Sequence, residues 1–399
     1  MIGAHGALSV RLIGASTTQP AFQRLQSVDL TKLVEYSTQD GDSLERVLEM
    51  HLTHLFDTNA ELPLWGLTVL SDNTVVFFWQ HCIGDGISGL AFHRTLIAAL
   101  NADNTIYEGR ELVDISPTTT MVPAIENVVS MRPSISQIYH TVIGLFLPVS
   151  WTSGRSAWTG KPVIGSNCSP RIRLLEFSPQ DTIKFVAYCR NNRATLTPAL
   201  HLLAVSALTQ LLRAQTDSPS SQLWESISSL IPVSLRPIAH TSPDVMCNHV
   251  SQYHTYTTLT PEVCWSSAAT LKATLHSFRA EAAGEVGMLR ILCGQFGAFW
   301  KSKMGTKREL GLEVSNVGRF DLSGTAQDDA KKWHIDRMVF AQSNIVIGAA
   351  IKVNVCGNPL GGLAITVVWS SDSVEAALAE GFVSKLEQMF LEVISGEEP

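Results

Sequence analysis

His81 and Asp85 stand four residues apart in the run His81-Cys82-Ile83-Gly84-Asp85-Gly86, an imidazole and a carboxylate on one glycine-rich turn. A neutral imidazole, with its ordinary pKa of about 6.5, can take a proton from an alcohol, thiol or amine as that group attacks a carbonyl. A carboxylate four residues on is expensive to bury unless it has a partner. Asp85 can meet that demand through an ion pair that locks the turn, or simply as the N-cap of a following helix. The plainer reading of His81 is a half-buried strand-end residue bonded to backbone. Cys82 is adjacent, but on extended backbone its side chain is expected on the opposite side from that of His81.

The elements that must hold this turn are legible on either side. Thr74-Val75-Val76-Phe77-Phe78-Trp79-Gln80 is an apolar run of strand length, and Ile87 to Ile97 reads as a helix. Leu64 to Leu70 is expected to pair antiparallel with the strand before His81, with polar Ser71-Asp72-Asn73 as the turn. Gly84-x-Gly86-x-x-Gly89 also matches the dinucleotide fingerprint. Against that reading, Asp85 would aim negative charge at a pyrophosphate on a helix N-terminus. No firm acidic-ended second strand follows, only Ile106-Tyr107-Glu108 and Leu112-Val113-Asp114, and the motif lies in a hairpin instead of opening a parallel βαβ unit.

At 399 residues the chain is long enough for two domains. Its 45% hydrophobic and 16% charged content describes a well-buried globular protein, and a net charge of -7 argues against a basic face for nucleic acid. Seven scattered cysteines, never in a Cys-x-x-Cys pair, fit reduced thiols in a cytoplasmic protein better than a disulfide framework or a zinc site. No secretory signal opens the sequence. The most lipid-like stretch, Val142 to Val149, is far shorter than the roughly 20 residues that span a bilayer. It reads as a core segment, with contact to a hydrophobic acyl chain as the alternative.

Along the chain, Ala7 to Ile13 looks extended and Ser43 to Phe56 helical, with His51 and His54 as surface or edge residues on that helix. The glycine-, serine- and proline-containing stretch from Trp151 to Asn167 marks an interdomain linker. The second half starts with a strand, Arg171 to Phe177, followed by helices at Ser178 to Arg190 and Thr197 to Ala214. Leu223 to Val233, Glu313 to Gly318, Met338 to Ala341, Ile345 to Val355 and Leu363 to Trp369 are strand-like. The last helix places Leu378, Phe382, Leu386, Met389 and Val393 on one face, a core-facing stripe. Trp79 and Trp369 are read as core aromatics.

His-x-x-x-Asp-Gly at the end of a strand resembles the signature of the CoA-dependent acyltransferase superfamily, which includes chloramphenicol acetyltransferase and peptide-synthetase condensation domains. Further segments are similar to its fungal alcohol acetyltransferase branch: Ile231 to Pro237, Met246-Cys247-Asn248-His249-Val250-Ser251, Val314 to Phe320, and Gly361 to Trp369. They occur in family order and cover nearly the whole chain. The turn carries a single histidine where some relatives have two. Relatives also open with a strand and helix before the segment matching Ala7 to Ile13, so the N-terminal subdomain is expected to lack those elements.

The resemblance implies an α/β fold of two chloramphenicol-acetyltransferase-like subdomains, mixed sheets flanked by helices, with an active-site channel between them. Residues 1–150 would form the N-terminal subdomain, 151–170 the linker and 171–399 the C-terminal subdomain. The implied activity is O-acyl transfer, foremost acetyl transfer, from acyl-CoA to a hydroxyl of a small apolar natural product, in a monomer with no bound cofactor or metal. His81 would be the general base. Asp85 and Gly86 would be structural at the site, with Arg236 at the position that pairs with the motif aspartate. Ser315 and Asn316 can offer hydrogen bonds to a developing oxyanion or to CoA, although a glycine-ended turn after a strand calls for the same residue types. The competing expectations are a condensation-type enzyme fed by a carrier protein, and a truncated, non-catalytic ligand-binding relative.

Overall fold

The computed structural model describes the chain except for residues 38–42, 103–110, 147–153, 165–168, 215–223, 322–331, 344–345 and 397–399. It divides into two compact units that are discontinuous in sequence. The first comprises Met1–Ser130, Ser234–Val250 and Phe320–Asp336, and the second Met131–Val233, Ser251–Arg319 and Arg337–Pro399. The sequence reading drew one division at 151–170; the chain instead returns to the first unit twice. Both units carry sheets with helices against them, the α/β class expected.

In the first unit β1 (Val10–Ile13) pairs antiparallel with β2 (Ala21–Arg24), and β3 (Ser27–Asp29) with β7 (Leu112–Asp114). β4 (Val34–Tyr36) runs parallel to β5 (Trp65–Val69), which forms the expected hairpin with β6 (Val75–Trp79), in register from Trp65 opposite Trp79 to Val69 opposite Val75. The hairpin turns where its sequence allows. Asn73 takes a left-handed φ of 65°, a conformation asparagine tolerates, and Asp72 Oδ1 accepts from the Thr74 amide at 2.9 Å. α1 (Leu44–Leu52) precedes the hairpin, α2 (Gly86–Leu100) follows it, and α3 (Ile125–Val128) comes last. The core forms where β6 meets α2: Phe77 stacks on Phe92 with ring centroids 3.6 Å apart, among Leu8, Leu64 and Ile83. Of Ala7 to Ile13, only Val10–Ile13 is strand, since Gly6–Ser9 coils into a 3-10 turn.

The second unit holds α4 (Ile135–Phe146) and a seven-stranded mixed sheet. Its strands are β8 (Ala157–Trp158), β9 (Pro170–Phe177), β10 (Ser226–Ser234), β11 (Val250–Thr258), β12 (Leu312–Arg319), β13 (Ile351–Gly357) and β14 (Leu363–Ser370), in the order β11-β10-β12-β13-β14-β9 with β8 beside β10. α5 (Pro179–Asn191), α6 (Leu196–Ala214) and α10 (Ala376–Ser395) supply the core against it, with Phe390 stacked between Phe177 and Phe185 at 3.8 and 4.1 Å. Ser178 caps α5 by accepting from the Asp181 amide at 3.1 Å, with Pro179 opening the helix. The stripe on α10 is buried as expected.

Two readings need correction here. The middle of the supposed linker is the buried strand β8, with its ends, 151–153 and 165–168, outside the described residues. Met338 to Ala341 is not a strand; the Phe340 carbonyl accepts from the Thr366 hydroxyl at 2.7 Å instead of a neighbouring ladder. α7 (Trp265–Phe278), α8 (Ala282–Gly287) and α9 (Phe296–Ser302) complete the unit. Among the described residues no single helix is long and apolar enough to cross a membrane.

Candidate active site

β6 delivers the chain to His81, and the next eight residues are shaped by close packing. The Gln80 side chain accepts from the Cys82 amide at 2.7 Å, capping a short 3-10 turn over His81–Ile83. Trp79 folds back on that turn and donates from Nε1 to the Gly84 carbonyl at 2.9 Å. A Cβ on Gly84 would lie 3.1 Å from Trp79 Nε1, and one on Gly89 only 2.8 Å from the indole ring. Gly84 makes room for Ser88 and Trp79, and Gly89 for Trp79, so the resemblance to a dinucleotide fingerprint has a packing origin. The structure also places Leu112–Asp114 antiparallel to β3, outside any βαβ unit, while Ile106-Tyr107-Glu108 lies outside the described residues.

Asp85 serves both purposes its position allowed. It is the N-cap of α2, which begins at Gly86, and Oδ1 accepts from the Ser88 amide at 3.0 Å. Its carboxylate is also gripped by both arms of Arg236, Nε to Oδ2 at 3.1 Å and Nη2 to Oδ1 at 2.8 Å, while the His249 amide reaches Oδ2 at 3.2 Å. Asp85 is 4% exposed and Arg236 3%. A two-armed guanidinium suits this task, because a planar fork matches a carboxylate in two parallel hydrogen bonds.

The loop 234–250 exists around that guanidinium. Arg236 Nη1 donates to the carbonyls of Ser242 and Val245 at 2.8 and 2.9 Å, and Nη2 also reaches the Ser88 hydroxyl and the Cys247 carbonyl. The Asp85 amide donates to that Cys247 carbonyl at 3.0 Å, and the Cys247 amide donates to Ser88 Oγ at 3.1 Å. His249 is fixed by two partners: Nε2 donates to the Pro123 carbonyl at 3.1 Å, and Nδ1 pairs with the Thr241 hydroxyl at 3.1 Å. With so many donors on its two oxygens, Asp85 is saturated by architecture, and none of its hydrogen bonds goes to the His81 ring.

His81 is exposed at the end of this buried assembly. Its anchor is Asn248, whose amide nitrogen donates to the His81 carbonyl at 2.9 Å and approaches ring Nδ1 at 3.3 Å. The locked loop that holds Asp85 thus also presents Asn248 to the imidazole. Asn248 carried no role in the sequence reading. An isolated asparagine has no periodic signal, although it lies in Met246 to Ser251, a segment already singled out. Burial pushes the Cys82 thiol up to about 11, which keeps it protonated near neutral pH and a poor nucleophile.

The structure brings His81, Asp85, Gly86 and Arg236 together in the first unit. Ser315 and Asn316 belong to β12 of the second unit. There the Asn316 amide nitrogen donates to the Thr197 hydroxyl at 3.1 Å, and its carbonyl accepts from the Gly318 amide at 2.8 Å, so this side chain ties the end of β12 to α6. His51, expected at the surface or an edge, is half-buried. It stacks on Phe78 at 4.1 Å and bonds the Thr68 hydroxyl at 3.0 Å, and burial lowers it to about 4.

Residues 18–274 and 293–393 match the sequence model of the alcohol acetyltransferase family. The chain belongs to that family. It is 25% identical over 420 residues to the "Probable alcohol acetyltransferase crmB" of Aspergillus fumigatus, covering 96% of this chain and 86% of that one. A second relative, the "Probable alcohol acetyltransferase FCK4" of Fusarium pseudograminearum, is 24% identical over 423 residues, covering 96% and 83%. Among solved structures, the trichothecene 15-O-acetyltransferase of Fusarium sporotrichioides superposes with a TM-score of 0.67 at 13% identity, over 98% of this chain and 84% of that one. The epimerization domain from the third module of tyrocidine synthetase B superposes at 0.58 and 12% identity, over 98% and 85%. The two structural likenesses establish the fold shared with condensation-type domains. Family membership makes the chain an acyltransferase.

Proposed function

We propose that this acyltransferase moves an acyl group, foremost acetyl, from acyl-CoA to a hydroxyl of a small apolar natural product, with His81 as general base. The observation that carries the reading is an exposed imidazole held by Asn248 at the tip of a turn that a buried Asp85–Arg236 pair makes rigid. A base must keep its geometry while substrates exchange, and a rigid support supplies that.

In the proposed reaction the acceptor oxygen attacks the thioester carbonyl while His81 takes the hydroxyl proton. The tetrahedral intermediate then collapses, the C–S bond breaks, and the departing CoA sulfur recovers the proton from the imidazolium. The products are an ester and free CoA thiol, with His81 returned to neutral and no acyl-enzyme formed. Asp85 and Arg236 act on the shape of the turn and not on the proton. CoA enters as co-substrate, and the working form is proposed to be a cytoplasmic monomer.

Release of free thiol from acetyl-CoA in the presence of a panel of hydrophobic alcohols tests the reading directly. His81→Ala is expected to lower turnover by roughly 10²–10⁴-fold, the usual range for a lost general base, with the fold intact. Equal turnover in variant and parent at saturating substrate would remove His81 from the chemistry. Activity only with a carrier-protein-bound acyl donor would move the enzyme to the condensation type, and tight binding of a product ester without turnover would make it a binding protein.

A further inference from the structure

The sequence makes Trp79 a core aromatic, yet its indole N–H reaches the turn that carries His81. Side chains alternate along β6, so Phe77 and Trp79 share one face while Phe78 takes the other, where it meets His51. On the first face three rings form a column. Phe92 of α2 lies 3.6 Å from Phe77 with 2° between the planes, and Phe77 lies 5.0 Å from Trp79 with 20°. Phe92 and Phe77 are buried, so the core of the first unit fixes the base of the column. The last ring is half-buried and abuts Gly89, where a Cβ would come within 2.8 Å of it. Bounded by Phe77 and by α2, the indole directs Nε1 to the Gly84 carbonyl at 2.9 Å.

That carbonyl stands where the 3-10 turn His81–Ile83 has ended and α2 has not begun. Gly84 in turn donates its amide to the His81 carbonyl at 3.4 Å, the same oxygen that Asn248 holds at 2.9 Å. The backbone of His81 is thus held twice, by the 234–250 loop through Asn248 and by the aromatic column through Gly84. The plainer reading is that Trp79 only fills space. Its cross-strand neighbour shows what that would look like. Trp65 stands opposite Trp79 on β5, is buried, and donates its own N–H to the Leu8 carbonyl at 2.9 Å. Two tryptophans of one hairpin make the same kind of bond, one into the N-terminal 3-10 turn and one into the turn of His81.

We propose that Trp79 is a positioning residue for acyl transfer: its N–H, aimed by the Phe92–Phe77 column, fixes the Gly84 carbonyl and through it the backbone that presents His81. This role rests on the reading of His81 as general base.

The test is saturation kinetics of thiol release by the full chain, from acetyl-CoA and an alcohol the parent acylates, with thermal melting of each variant. Trp79→Phe keeps an aromatic ring and removes the N–H. It should lower kcat by roughly 3–10-fold, the kinetic equivalent of one lost hydrogen bond, with KM for both substrates unchanged. No charge changes, so the acid limb of its pH profile should keep the parent's midpoint. Trp65→Phe removes an equivalent bond and should lower Tm while kcat, measured well below the transition, stays at the parent's value. Amide hydrogen exchange gives a readout independent of turnover: residues 80–88 should exchange several-fold faster in Trp79→Phe and like the parent in Trp65→Phe. If Trp79→Phe melts far below the parent, benzothienylalanine at position 79, which keeps the indole shape and lacks the N–H, should show the same fall in kcat. The role is overturned if kcat is unchanged in the Trp79 variants, if exchange over 80–88 does not rise, or if Trp65→Phe lowers kcat as much. A large loss in His81→Ala beside a parental kcat in Trp79→Phe would overturn this role alone. Parental turnover in His81→Ala would overturn the base assignment and this role with it.

Discussion

Replacing Asp85 by asparagine separates the two duties of this side chain. Asparagine is as good an N-cap as aspartate, so the hold on the Ser88 amide is retained. What disappears is the negative charge opposite a guanidinium that is 3% exposed. The amide's NH₂ would also be forced toward one of the donors, Arg236 or the His249 amide, that now surround the carboxylate. Breaking a buried pair by removing one partner costs about 3–5 kcal/mol, because the other charge stays buried without compensation. For a folding unit of this size each kcal/mol lowers Tm by roughly 2–4 °C, so a fall of roughly 6–20 °C is expected. Thermal melting followed by far-ultraviolet circular dichroism reads this, with thiol release measured well below the new transition. Turnover should fall too, since the 234–250 loop that carries Asn248 is organised by the same guanidinium. A double variant, Asp85→Asn with Arg236→Met, removes both charges and should regain part of the lost stability without regaining activity. If Asp85→Asn melts like the parent and is nonetheless inactive, the architectural role is wrong and Asp85 belongs to the chemistry.

Two further outcomes follow from the same structure. Asn248→Ala should lower kcat by roughly 3–10-fold, the kinetic equivalent of one hydrogen bond worth about 0.5–1.5 kcal/mol, with KM for both substrates and Tm unchanged; saturation kinetics check it, and an unchanged kcat would leave Asn248 without a part in orienting His81. His201 is fully buried in α6 with neither ring nitrogen partnered, and burial holds its pKa at about 4 against an ordinary 6.5. The unfolded chain therefore binds this proton more readily, so the stability tied to His201 is full above about 6.5 and is lost as pH falls toward 4, a change of about 3 kcal/mol. Urea titrations across that window should show His201→Leu losing less stability on acidification than the parent; parallel curves would show that the ring reaches solvent.

Local chemistry made much of this molecule legible in the residues alone. The hairpin before His81 follows from two apolar runs around a turn whose asparagine tolerates a left-handed φ, and α5 begins where serine precedes proline. The α10 stripe at helical spacing is buried as its period requires. These features arise from interactions between residues a few positions apart, so a linear reading finds them. The Asp85–Arg236 pair was expected only through family resemblance, since 151 residues separate the partners and neither type predicts the other. Tertiary structure alone decided the rest. Gly84 and Gly89 spell a nucleotide motif on paper, and only the folded turn shows that they make room for Ser88 and the Trp79 indole. Asn248 became a support for His81 because a loop folded around a buried guanidinium carries it there. The same holds for the half-buried His51, whose place on α1 does not say that it stacks on Phe78. Packing between segments far apart in sequence leaves no periodic trace along the chain.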